Sequence, residues 1–344
     1  MQKNLFISNF KKLPGALLIT VFLVIFAETA NFFIYKYCYI YPDRPRKVLQ
    51  GLFARVKNNI SKIPNQNFDI LVFGDSYSNY GISPDIIEGK TGLSCFNFAT
   101  NGENSAYYSF CIFDNYLKAN SRKPKFVIIG FMLSVASTKK PNSEFVYEFS
   151  DMSNIDLLIR EFGVAQTLKY FVPTLRNQYF IADIIKNPGL IFNISNNKQR
   201  YFEETYKILL RNKGLVKCEE QKQFIEDQQR KEYLKYFKFS KSSKSLEYLK
   251  KILEYDEKNK INTVLVLTTN PKCVLDSTLQ KGEIAEYKKF LYALQKEFPH
   301  LVIEDPQNFM NDKDFYSDEV HLNLKGEILL SSLLADKITQ LKSQ

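Results

Sequence analysis

Short apolar runs and helical stripes alternate along most of the chain. Asp69-Ile-Leu-Val-Phe73 is an apolar run that ends at Gly74 and reads as a buried strand. Leu93 to Phe98 is a second run, Lys125 to Ile129 a third, Asn262 to Thr268 a fourth and Leu301 to Ile303 a short fifth. Between them, apolar residues return every three or four positions. Leu246, Leu249, Ile252 and Leu253 share one face of a helix over 245–257. Ile284, Tyr287, Leu291, Leu294 and Phe298 share another. Leu330, Leu333, Leu334 and Ile338 mark a last helix, with Asn323 as its expected N-cap. Near-continuous apolar strands alternating with helices predict an α/β fold with a parallel sheet covered on both faces. About 130 residues separate the third and fourth strands. They show helical segments near 154–172, 200–212 and 219–237, so an insertion at about 140–240 is expected to be mostly helical.

The first 66 residues follow another pattern. Leu13 to Ala27 is apolar or neutral throughout, and the stretch continues to Tyr35 with only Glu28 and Asn31 against it. About 20 residues cross a bilayer core, so 13–35 is expected to be a transmembrane anchor behind a short tail, 1–12. Tyr35, Tyr37, Tyr39 and Tyr41 resemble an interfacial aromatic belt. A cleaved signal peptide competes with this reading. Cleavage after Ala30 would put Glu28 at the −3 position, and cleavage after Ala27 would put Ile25 there; both sites want a small residue. Residues 36–66 are polar, basic and Pro-containing and read as a tether, leaving 67–344 as the folded domain.

Charge and composition narrow the function. Of the net +10 in 344 residues, +7 comes from residues 1–60, which hold nine basic and two acidic side chains around the apolar stretch. That placement suits a membrane lipid surface, not nucleic acid. The 45% hydrophobic content excludes a wholly disordered chain, and no repeat of 20–50 residues appears. The five cysteines show no C-x-x-C spacing, which argues against a zinc ribbon or a thioredoxin-like site; Cys95 and Cys111 lie among apolar residues as small core side chains.

The chemistry concentrates in two places. The first strand runs into Gly74-Asp75-Ser76, which places a serine at the carboxyl edge of a parallel sheet. Glycine there permits a tight turn, and a following helix offers backbone N–H groups to an oxyanion. The plainer reading of Ser76 is a helix cap. Near the other end stands Ser317-Asp318-Glu319-Val320-His321-Leu322-Asn323. Asp318 and His321 are three apart, so a turn brings the carboxylate to the imidazole, where it fixes the tautomer of a base for the serine. Asp314 and Glu319 are alternative carboxylates. Only one other histidine exists, His300, which follows Pro299 and reads as a loop residue.

Together these motifs resemble the SGNH (GDSL-type) hydrolase superfamily, over roughly residues 66–340. The run Asp318 to Gly326, D-E-V-H-L-N-x-x-G, is especially similar. The resemblance implies a flavodoxin-like three-layer α/β/α fold with a five-stranded parallel sheet. It implies Ser76 as nucleophile, His321 as base and Asp318 as orienting acid. Phe98-Ala99-Thr100-Asn101-Gly102-Glu103-Asn104 best matches the family's second block, so the backbone N–H groups of Gly102 and Ser76 are the expected oxyanion hole. The family's third block, G-x-N-D, is absent: Gly130-Phe131-Met132-Leu133-Ser134 carries no Asn. Asn79, Asn101 and Asn104 are the candidate replacements.

The anchor, the changed third block and the helical insertion look like a membrane-anchored subgroup. It includes the teichoic-acid D-alanylation protein D and polysaccharide O-acetylation proteins. That likeness implies a single-pass, extracytoplasmic serine esterase or O-acyltransferase acting on an acylated carbohydrate or envelope glycopolymer. It needs no metal or cofactor, and a membrane-bound O-acyltransferase is the expected partner. The competing expectation is a catalytically inactive binding or assembly partner of such an acyltransferase.

Overall fold

The computed structural model describes residues 13–38, 45–102, 105–136, 155–172, 202–217, 224–226, 228, 238–277 and 281–343. The chain divides into two compact units.

The larger unit comprises Arg46–Phe149 and Glu204–Gln344. Its centre is an all-parallel sheet of β1 (Ile70–Gly74), β2 (Cys95–Asn97), β3 (Phe126–Phe131), β4 (Asn262–Leu267) and β5 (Leu301–Glu304). The strand order is β2-β1-β3-β4-β5. In this doubly wound arrangement the order reverses between β1 and β3, where ligands bind beyond the carboxyl ends of the strands. Register places Gly74 beside Gly130 at that crevice.

Side-chain alternation on the strands separates two helical layers. Ile70, Val72, Ile128, Val264 and Val266 join one core with Ile87 of α4 (Pro84–Thr91) and Leu330, Leu334 and Ile338 of α10 (Leu324–Lys342). On the opposite face, Phe73 meets Phe113 of α5 (Ser105–Ala119), which in turn packs edge-on against Tyr255 of α8 (Lys244–Asn259). A three-layer α/β architecture results. Asn323 caps α10 as expected, its side chain accepting from the Gly326 N–H. A further long helix, α9 (Lys281–Glu297), follows β4 and precedes β5.

The tether reading of 36–66 needs correction over α2 (Pro45–Ser61). Ala54, Val56, Lys57, Asn58 and Ile60 of this helix are buried. The basic residues Arg46, Lys47, Arg55 and Lys57 masked the apolar period in the sequence. The fold therefore begins well before the first strand.

The smaller unit comprises Met1–Pro45 and Ser150–Glu203. It contains α1 (Leu13–Cys38), which runs three residues beyond the expected 13–35 and exposes Leu17, Leu18, Ile19, Phe22 and Phe26. Among the described residues, no helix is long and apolar enough to cross a membrane. The unit also contains α6 (Ile155–Phe162) and α7 (Val164–Phe171), broken apart at Gly163, whose φ is +79°. These match the helical expectation near 154–172; a helical stretch over 202–211, nearly all of it in the larger unit, matches the one near 200–212. The expected segment near 219–237 and the tail 1–12 lie almost wholly outside the described residues.

Candidate active site

The serine turn is set by close backbone approach. Gly74 has φ +148°, and a Cβ there would lie well inside van der Waals contact with the Gly130 carbonyl oxygen and the Ser78 side chain. Only glycine fits, because both the angle and the space exclude a side chain. The Asp75 N–H donates to the Gly130 carbonyl at 3.2 Å, and the Thr100 N–H donates to the Gly74 carbonyl at 2.9 Å. Asp75 itself is fully buried. Its Oδ1 accepts from the Tyr77 N–H at 2.9 Å, capping α3 (Ser76–Gly81), and its Oδ2 accepts from the Met132 N–H at 2.6 Å. Burial pushes its carboxyl up to about 7, against the pull of those two amides. Ser76 thus becomes the first residue of α3, where a backbone N–H has no partner within the helix.

The carboxylate and imidazole come from one tight loop. Tyr316 and Leu322 form an antiparallel bridge, and the Ser317 N–H donates to the His321 carbonyl at 2.9 Å. Asp318 Oδ1 accepts from the N–H groups of Val320 (2.9 Å) and His321 (2.8 Å). The Asn323 amide donates to the carbonyls of Asp314 (2.8 Å) and Tyr316 (3.1 Å). These hydrogen bonds turn the spacing of three into a fixed geometry.

The two segments meet. His321 Nε2 lies 2.8 Å from Ser76 Oγ, and His321 Nδ1 lies 2.8 Å from Asp318 Oδ2. With Nδ1–H donating to the carboxylate, Nε2 presents its lone pair to the serine hydroxyl. Both side chains are about one-fifth exposed, so the site is reachable from solvent. Tyr80 of α3 packs its ring edge-on against the imidazole, with centroids 5.3 Å apart. Behind the site the Tyr77 and Tyr316 hydroxyls lie 2.9 and 2.6 Å from Thr269 Oγ1, just beyond β4, and Tyr316 also donates to the Met310 carbonyl at 2.8 Å. This buried hydroxyl chain ties the neighbour of Ser76 to the loop that carries His321.

The other expected residues are placed as follows. Gly102 lies in the loop after β2 with φ +90°, exposed, and its carbonyl accepts from the Ser105 N–H at 3.2 Å. Asp314 supplies only its carbonyl to Asn323, and Glu319 is fully buried. His300 precedes β5, at the opposite edge of the sheet from Ser76. At the third block, the Met132 N–H is spent on Asp75. Asn79 and Asn101 bond to each other, Asn79 Nδ2 to Asn101 Oδ1 at 2.8 Å, and Asn101 Nδ2 donates to the Tyr80 hydroxyl at 3.0 Å. Asn104 lies outside the described residues.

Sequence reading missed Tyr80, Thr269, Tyr316 and above all Lys57. Lys57 donates to Asn79 Oδ1 at 2.6 Å and to the Ala99 carbonyl. Nothing in a run of basic residues distinguishes the one that turns inward. Among the described residues, no group of three or more His, Cys, Asp or Glu is arranged to hold a metal ion.

No family model matches the chain, and no curated protein matches it.

Proposed function

We propose that the protein is a serine esterase or O-acyltransferase of SGNH type. The observation that carries this reading is the pair of 2.8 Å contacts linking Ser76 Oγ to His321 and His321 to Asp318. Ser76 Oγ attacks an ester carbonyl carbon while its proton passes to His321 Nε2. The C–O bond to the leaving alcohol then breaks, and Nε2 returns the proton to the departing oxygen. An acyl-serine remains. Water, or a sugar hydroxyl, attacks it with His321 again as base, and Ser76 recovers its proton. The oxyanion is held by the Ser76 and Gly102 N–H groups.

The substrate class is an acylated carbohydrate or envelope glycopolymer, following the family resemblance. In the same reading, α1 attaches the protein to the membrane on its extracytoplasmic side, beside a membrane-bound O-acyltransferase. The run of exposed apolar side chains from Leu17 to Phe26 supports a lipid-facing helix.

The test is labelling of the detergent-solubilised full chain with a serine-reactive fluorophosphonate, beside Ser76→Ala and His321→Ala. Wild-type labelling that both substitutions abolish is expected. A folded wild type that neither labels nor releases acetate from simple esters sinks the enzyme reading. It would leave the binding partner of an acyltransferase in its place.

A further inference from the structure

Among the described residues, Lys57 is a buried lysine next to the site that the proton relay leaves unused. Its side chain is fully buried, and among the described residues it forms no ion pair. Its partners are two neutral oxygens: the Asn79 amide oxygen and the Ala99 carbonyl. Burying an amine on neutral partners is costly, so such a group survives where it organises something. Burial also pulls the Lys57 ammonium well below the usual lysine range.

The connections say what it organises. Asn79 sits on α3 three residues after Ser76, and Ala99 sits three residues before Gly102. Lys57 therefore bridges the helix that supplies one oxyanion N–H and the loop that supplies the other. By occupying Asn79 Oδ1, it turns Asn79 Nδ2 toward Asn101 Oδ1. That in turn aims Asn101 Nδ2 at the Tyr80 hydroxyl, and the Tyr80 ring abuts His321. One side chain from α2 thus sets the amide orientations that link the oxyanion loop to the imidazole.

We propose that Lys57 is a positioning residue for acyl transfer, fixing the Gly102 loop against the Ser76 helix through Asn79, Asn101 and Tyr80. The inference rests on the serine-enzyme reading above. With no third-block Asn at hand, two backbone donors must be held in place by other means, and small misplacements of such groups cost rate steeply.

The experiment uses the full chain with p-nitrophenyl acetate. Active sites are counted by fluorophosphonate titration, and folding is followed by thermal melting. Lys57→Met is expected to lower kcat per titrated serine about 10- to 100-fold, with KM within about twofold of wild type. A fold that is merely loosened would lower the number of titratable sites and leave kcat per site unchanged. That result overturns the proposal. Asn101→Ala cuts the same chain from the loop side, so it decides the matter where Lys57→Met fails to fold. The same fall in kcat per site supports the role, and an unchanged value overturns it. A wild type with no turnover and no labelling fails separately: it removes the enzyme reading, and the role of Lys57 with it.

Discussion

At the end of β1, residues 74–76 are held by backbone packed against backbone and by a carboxylate with no access to water. Residues 316–323 are held by a closed ring of hydrogen bonds around a loop that stays partly in solvent. The serine side has no slack: Gly74 touches Gly130, and Asp75 reaches across to the first residue past β3. The histidine side is held locally, by side-chain oxygens accepting backbone N–H groups within a few residues of chain. Ser76 is thus placed by the core of the sheet and the His321 imidazole by local turn chemistry. Damage to the first should appear as lost stability, and damage to the second as lost rate.

Asp318→Asn tests that division hardest. An amide keeps an oxygen for the Val320 and His321 N–H groups but turns an NH2 toward Nδ1. The proton then moves to Nε2, which no longer accepts from Ser76. The fluorophosphonate rate should fall about 10²- to 10⁴-fold while the melting temperature moves by less than about 3 °C. A large loss of stability with an unchanged rate per folded molecule would reverse the roles given to the two segments.

Gly74→Ala should do the opposite. The new methyl has nowhere to go, and φ +148° is strained for any side chain. About 4 kcal/mol of stability should be lost, lowering the melting temperature by about 10 °C or preventing folding. A melt within a few degrees of wild type would mean that β1 and β3 are not in tight approach.

Asp75→Asn sharpens the comparison through pH. In the fold the Asp75 carboxyl is raised to about 7, so its protonated form is favoured there. The stability it contributes is complete below the unfolded carboxyl pKa of about 3.9 and is lost as pH rises through 7. Wild type should lose on the order of 2 kcal/mol between pH 5 and pH 8 that the Asn variant does not lose. Parallel melting curves for the two proteins across that range would show that Asp75 does not titrate there.

Asn323→Ala should have the smallest effect. It removes the cap on α10 and two ties to the loop, costing about 1 kcal/mol and about 2–4 °C. A shift of the His321 imidazole NMR signals should accompany it, since the loop ends at this residue. Unchanged imidazole signals would show that the cap and the loop are independent.

Much of this arrangement is readable in the residues. All five strands lie within two residues of the apolar runs that announced them, because a strand buried on both faces leaves a continuous signature. Ser76 stood out because it follows a strand end, and Asp318 and His321 because of their spacing of three just before a helix cap. The rest depends on which way side chains turn. Lys57 lies among Arg44, Arg46, Lys47 and Arg55, and charge alone made that stretch look like solvent-exposed chain. The direction of the Asn79 and Asn101 amides is equally invisible, since it is set by partners 22 residues away on either side of Asn79.

The distance between Ser76 and His321 has a temporal meaning. They are 245 positions apart, and four of the five strands, β2 to β5, lie between them in the chain. During synthesis at about 5–20 residues per second, Ser76 leaves the ribosome many seconds before His321. Until then its hydroxyl is an ordinary alcohol beside a helix end, with nothing to take its proton. A truncated chain that stops before residue 318 therefore carries a serine unable to attack its surroundings. On the proposed serine-enzyme reading, the hydroxyl gains its base only once residue 321 has been made.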